Sequence, residues 1–165
     1  PVTCFSQALT TFIGQNLGAK EYDRAKKGAL FGTICGIGIA EVIGIAVFFF
    51  SPYLIAAFGG DQRAIEYGIA EAHTIALFYC LLAFSHCMAA IQRGAGRSIV
   101  PMFVMMIVWC GVRVTYISIV IRIIPVINVI YWAYPLTWFI SSVIFLILFL
   151  KTDWIHGLEK HGQGA

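Results

Sequence analysis

An all-α polytopic membrane helix bundle is the fold class that this sequence predicts, and three observations predict it. Hydrophobic residues make up 60% of the 165 positions and charged residues only 12%, where soluble domains carry roughly 25% charged. The mean hydropathy is +0.87. Four apolar stretches are each long enough for the ~30 Å of hydrocarbon in a bilayer. The cations gather in the segments at alternate ends of those stretches, as they do when Lys and Arg set orientation.

The chain is organised around the polar joint Phe12–Gly28, F-I-G-Q-N-L-G-A-K-E-Y-D-R-A-K-K-G, with Lys20, Arg24, Lys26 and Lys27. Before it, residues 1–17 are apolar but carry Thr3, Ser6, Gln7, Thr10, Thr11 and Gln15. Its apolar part, Val2–Leu17, falls just short of a minimal span of ~17 residues. It reads as the cytoplasmic end of a helix, its hydroxyls suited to a neighbour or a cavity. The chain opens on Pro1 and not on Met, so it is expected to be a fragment. Gly18 is expected to end the helix, and residues 18–27 form a cytoplasmic loop.

Residues 28–50 are the first complete span. Gly28, Gly32, Gly36, Ala40 and Gly44 recur at i, i+4, a stripe of small side chains against which another helix can pack closely. Pro52 and Gly59-Gly60 are expected to stop this helix, and Asp61, Arg63, Glu66 and Glu71 follow as an acid-rich outer connection. Residues 70–91 are the second span. The turn Q-R-G-A-G-R-S, Gln92–Ser98, is basic and again inner. Residues 101–121 are the third span, with Pro101 in its first turn, where a missing N–H does no harm. Residues 129–150 are the fourth, with Pro135 expected to kink it. Tyr131, Trp132, Tyr134 and Trp138 resemble an interfacial aromatic belt. Residues 151–165 are a cytoplasmic tail.

The cation bias supports this topology. Inner segments hold Lys20, Arg24, Lys26, Lys27, Arg93, Arg97, Lys151 and Lys160, outer segments hold Arg63 and Arg122, and Arg113 lies inside a span. The net charge of +3 is therefore a matter of topology. No basic stripe with interleaved aromatics points to nucleic acid. The five cysteines form no C-x-x-C pair, and their odd number argues against a disulfide framework. His and Cys never cluster at metal-ligand spacing, so no metal and no other cofactor is expected.

Three ionisable residues within spans are candidates for function. Glu41 lies near the middle of the first span. An ionised, unpaired carboxylate there costs at least ~2.5 kcal/mol, so it reads either as a proton or cation site or as a structural acid bonded to a neighbouring helix. His86 reads the same two ways, as a proton relay or as a satisfied hydrogen-bonding residue. Arg113 must pair, snorkel or meet water. Tyr79 and Trp109 offer aromatic faces in the same spans. No G-x-S-x-G, H-E-x-x-H or phosphate-loop pattern is present.

Two segments carry a family resemblance. F-S-Q-A-L-T-T-F-I-G-Q-N-L-G-A-K-E-Y-D-R-A-K-K-G, Phe5–Gly28, and Q-R-G-A-G-R-S-I-V-P-M, Gln92–Met102, occur in order, with Y-P-L-T-W in the last span. Together they resemble the multidrug and toxic compound extrusion family of cation-coupled antiporters. The match fits the C-terminal half of such a protein, from the end of the eighth helix through the twelfth. The resemblance implies part of a six-helix lobe of a twelve-helix transporter, which works with the absent N-terminal lobe. It also implies a multi-pass protein of the inner or plasma membrane that exchanges Na⁺ or H⁺ for small organic cations by alternating access. The family's Q-x-x-G-A-x-x-x-x-R-A loop falls on Gln15, Gly18, Ala19, Arg24 and Ala25, and its R-G-x-G turn on Arg93, Gly94 and Gly96. Several members carry a cation-binding carboxylate in the tenth helix, but Ile75–Gln92 has none. This leaves Glu41 and His86 as ion or proton candidates. Gln7, Thr11, Tyr79, Trp109 and Arg113 are the cavity candidates. A related lipid-linked saccharide flippase is the alternative, and a non-transporting membrane scaffold the remote one.

Overall fold

The computed structural model describes residues 1–124 and 126–155. Every element among them is a helix: α1 (Val2–Gly18), α2 (Tyr22–Ala57), α3 (Gln62–Ala76), α4 (Tyr79–Gly94), α5 (Ile99–Met105), a π-helical stretch (Met106–Val112), α6 (Arg113–Ile123) and α7 (Asn128–Lys151). Three rods are long and apolar enough to cross a bilayer: Tyr22–Ala57, Ile99–Ile123 and Val129–Lys151. The bent pair α3–α4 makes a fourth when counted as one span. Large apolar side chains such as Phe31, Val42, Phe49 and Phe139 stand exposed on the outside. An all-helical chain with that exterior has its backbone satisfied internally and its surface matched to lipid. The protein is a multi-pass membrane bundle.

The small-residue stripe of α2 does what its spacing predicts. Phe12, Leu9 and Phe5 of the antiparallel α1 pack against Gly28, Gly32 and Gly36 in that order. A Cβ on Gly32 would come within 2.7 Å of Leu9, and one on Gly36 within 2.7 Å of the Cys87 sulfur. Lipid tails are as apolar as Leu, so helices in a bilayer gain from such close van der Waals fit more than from leaving water. The core is continuous from Leu9, Ile13 and Leu17 through Met88 and Ile91 to Phe145 and Trp154.

Several details differ from the sequence expectation. The 28–50 span does not stop at Pro52, because α2 runs on to Ala57. Proline deprives the carbonyl four residues back of its N–H partner, and the Ser51 hydroxyl donates to that carbonyl, Phe48 O, at 3.4 Å. Residues 70–91 are not one continuous helix. The chain is helical from Gln62, within the expected loop, and bends by 55° between α3 and α4. The third span contains a π-helical stretch that nothing in its composition marks. Pro135 lies within α7, which continues through it as the expected span does. Gly18 is the last residue of α1 and not its left-handed cap. That place belongs to Lys20, at φ 60°, while the N–H groups of Lys20 and Glu21 bond Leu17 O and Asn16 O at 3.1 and 2.8 Å. This double bond pattern is the Schellman closure. It recurs at Gly96, where the N–H groups of Gly96 and Arg97 bond Arg93 O and Gln92 O.

The expected aromatic belt is divided. Trp132 is 54% exposed, but Tyr131 and Trp138 are 4% and 5% exposed, because α7 turns that face toward α3 and α4. At the other end of α7, Trp154 stacks on Phe149. Pro125, and residues 156–165 of the expected tail with Lys160, lie outside the described residues.

Candidate functional site

A line of polar side chains crosses the apolar interior where α4, the Ile99–Ile123 rod and α7 meet. On α7, Thr137 and Ser141 are one i, i+4 step apart and so share a face, with Ser142 beside them. Ser85 of α4 lies 2.9 Å from the Ser141 hydroxyl and 3.0 Å from that of Ser142. Ser142 also donates to Leu81 O at 3.1 Å. From the π-helical stretch, Trp109 Nε1 donates to Ser141 Oγ at 3.3 Å. One turn further, Arg113 Nη2 donates to Thr137 Oγ1 at 2.8 Å. Ser85, Thr137, Ser141 and Ser142 are all buried. Hydroxyls can satisfy one another and the helix carbonyls at once, which is how polar groups persist between membrane helices. Thr137 also bonds Ala133 O and Ser141 bonds Trp138 O.

Among the described residues, Arg113 meets no carboxylate. Its guanidinium sits 4.3 Å from the Tyr134 ring centroid and 6.0 Å from that of Trp109. Aromatic faces attract a cation through the ring quadrupole, by ~2 kcal/mol or more when desolvated. Its Nε is buried without a partner. The arrangement is therefore an aromatic and hydroxyl cradle for positive charge. His86 joins the same place, its ring 5.4 Å from that of Trp109 in an edge contact. Tyr79 lies at the α4–α7 interface, 6.2 Å from the Trp138 ring.

The structure thus gathers His86, Trp109 and Arg113 into one seam, with Tyr79 near it. It does not bring Gln7 and Thr11 there. Both are exposed on α1, which packs on α2 and α4, and Thr11 bonds back to Gln7 O. Glu41 is also elsewhere. Its Oε1 accepts the Cys80 N–H at 2.8 Å, which bonds it to the backbone of a neighbouring helix. Sequence reasoning missed Thr137, Ser141 and Ser142, and read Tyr134 only as part of an interfacial belt. The signal was present as hydroxyls at i, i+4 in an otherwise apolar span.

The family model described as MatE matches residues 1–117. The chain belongs to the MatE family. It is also 29% identical over 110 residues to a protein of Thermotoga maritima named "Probable multidrug resistance protein NorM", a match that covers 66% of this chain. The chain spans 24% of that relative's length. The MatE match takes in both basic turns and the π-helical stretch, while α7, with the hydroxyl half of the seam, lies beyond the matched residues.

The positions singled out by the MatE motifs serve the fold in different ways. Gly94 is required by sterics, since a Cβ there would come within 2.7 Å of Thr10 O on α1. Gly96 takes φ +80° in its turn. Pro101 is buried in the first turn of α5, and Pro135 is buried within α7. Arg93 lies in the last turn of α4 and Arg97 reaches to Asp153 O at 2.9 Å. Gln15, Ala19 and Arg24 are exposed around the first turn. Gly18 has no neighbour within 4 Å of the place a Cβ would take.

Proposed function

We propose that this chain is part of a multidrug efflux transporter that exchanges Na⁺ or H⁺ for small organic, often cationic, compounds. It contributes to one six-helix lobe of a twelve-helix protein, and a second lobe closes the path. Rocking of two lobes around a midplane site is a common route to alternating access. The observation that carries the reading is the MatE match over residues 1–117, and the name of the Thermotoga maritima relative supports it. The basic turns Lys20–Lys27 and Gln92–Ser98 then face the cytoplasm of the cell membrane, and the chain end after α7 lies with them.

The test uses the full-length protein in proteoliposomes, loaded with a fluorescent organic cation such as ethidium. Imposed Na⁺ and H⁺ gradients are applied separately. Gradient-driven movement of the dye is expected for one of the two ions. No movement of this or other cationic dyes under either gradient overturns the proposal.

A further inference from the structure

The 55° bend between α3 and α4 occurs at Ala76–Tyr79, A-L-F-Y, which holds neither Pro nor Gly. Sharp bends arise at proline, at glycine or serine pairs, at π-bulges, or where a side chain enters the hydrogen-bond ladder. The last of these applies. In an unbroken helix the Cys80 N–H would bond the Ala76 carbonyl four residues back. Both ends of that rung face α2 instead. The N–H donates to Glu41 Oε1 at 2.8 Å. The carbonyl lies so close to Gly44 that a Cβ there would come within 2.6 Å of its oxygen, near enough for a weak Cα–H···O contact. Glu41 and Gly44 are three residues apart and share one face of α2. A cavity of about 110 Å³ opens beside them, lined also by Phe48, Phe49, Ala76 and Leu77.

We infer that Glu41 is a positioning residue: with Gly44 it replaces the missing rung, holds the α3–α4 bend, and so sets where α4 presents Ser85 and His86 to the polar seam. The bend stands on the geometry alone, while the consequence for transport rests on the function proposed above. The bond needs an acceptor oxygen at position 41. A negative charge makes that bond roughly twice as strong but is not essential to it. A cation-binding role would need the charge. The two roles therefore part at Glu41→Gln.

The experiment uses the full-length protein with two readouts. The first is the distance between spin labels at Arg63 and Arg93. At ~1.5 Å per residue a straight helix would separate those backbones by about 45 Å and the bent one by about 40 Å. Glu41→Ala is expected to lengthen the distance toward the straight value, and Glu41→Gln to leave it unchanged. The second is ethidium transport. Glu41→Gln is expected to keep the rate within about fivefold of wild type, with the same pH profile, while Glu41→Ala and Gly44→Ala lose about tenfold or more. Gly38→Ala, whose Cβ meets nothing within 4 Å, should behave as wild type. An unchanged label distance in Glu41→Ala overturns the inference. So does a Glu41→Gln protein as inactive as Glu41→Ala, or one with an altered pH profile. A wild-type protein that moves no dye sinks the transport reading only, and the label distance still judges the bend.

Discussion

Gly94→Ala tests the crossing of α1 and α4. The added Cβ would lie 2.7 Å from the Thr10 carbonyl oxygen and 2.8 Å from Ile13 Cβ. Ordinary contact begins at 3.4 Å, so the helices must part by several tenths of an ångström or more. Neither obstacle can swing aside. One is helix backbone, and the other is the root of a side chain that is 0% exposed. Forcing a methyl into a packed interior costs about 1–3 kcal/mol. Replacing Gly by Ala inside a helix returns up to ~1 kcal/mol, and less at Gly94, the last residue of α4. The net loss should be about 1–2 kcal/mol. Gly38→Ala is the control, because its Cβ enters open space and only the propensity gain of up to ~1 kcal/mol remains. Thermal unfolding of the full-length protein in detergent, followed as loss of the monodisperse peak, reads both. Gly94→Ala should melt below wild type and Gly38→Ala at or above it. A Gly94→Ala protein that melts at or above wild type would refute the steric argument.

Two further outcomes are expected in the same assay. Thr137→Val keeps the side-chain shape but removes the oxygen to which Arg113 donates. It should cost about 1–2 kcal/mol, and Thr137→Ser should recover most of that. Lys20→Gly should stabilise by about 0.5–1 kcal/mol, because Lys20 holds φ 60° where a side chain is crowded and glycine is not.

Much of the architecture was legible in the residues. Basic turns bracketed the helices, and the i, i+4 run from Gly28 to Gly44 announced a packing face that the structure fills with Phe12, Leu9 and Phe5. What escaped was decided between helices. Nothing in A-L-F-Y signals a break, because its cause lies on α2. Pro52 signalled an end that did not come, since Ser51 serves the carbonyl the proline strands. Gly18 drew attention as a cap, but Lys20 occupies the left-handed position two residues later. The site divided in the same way. Arg113, Trp109 and His86 stood out as costly or amphipathic groups in greasy spans. Their hydroxyl partners on α7 did not, because Ser and Thr are common in membrane helices and only the facing rod reveals which ones matter. Gln7 and Thr11 stood out on polarity alone, and α1 turns both away from the seam.

Arg97 holds the carbonyl of Asp153, which ties the turn below α4 to the strand of chain that leaves α7. Trp154 wedges against Phe149 just beyond that tie. The foot of the assembly is thus guyed from two directions, whereas at its head the chain turns through Gly59 and Gly60, at φ +70° and +142°. Any swing of the upper arm, Gln62–Ala76, would pivot over an anchored footing, so a reporter dye fixed on that arm should travel further than one fixed near Arg97.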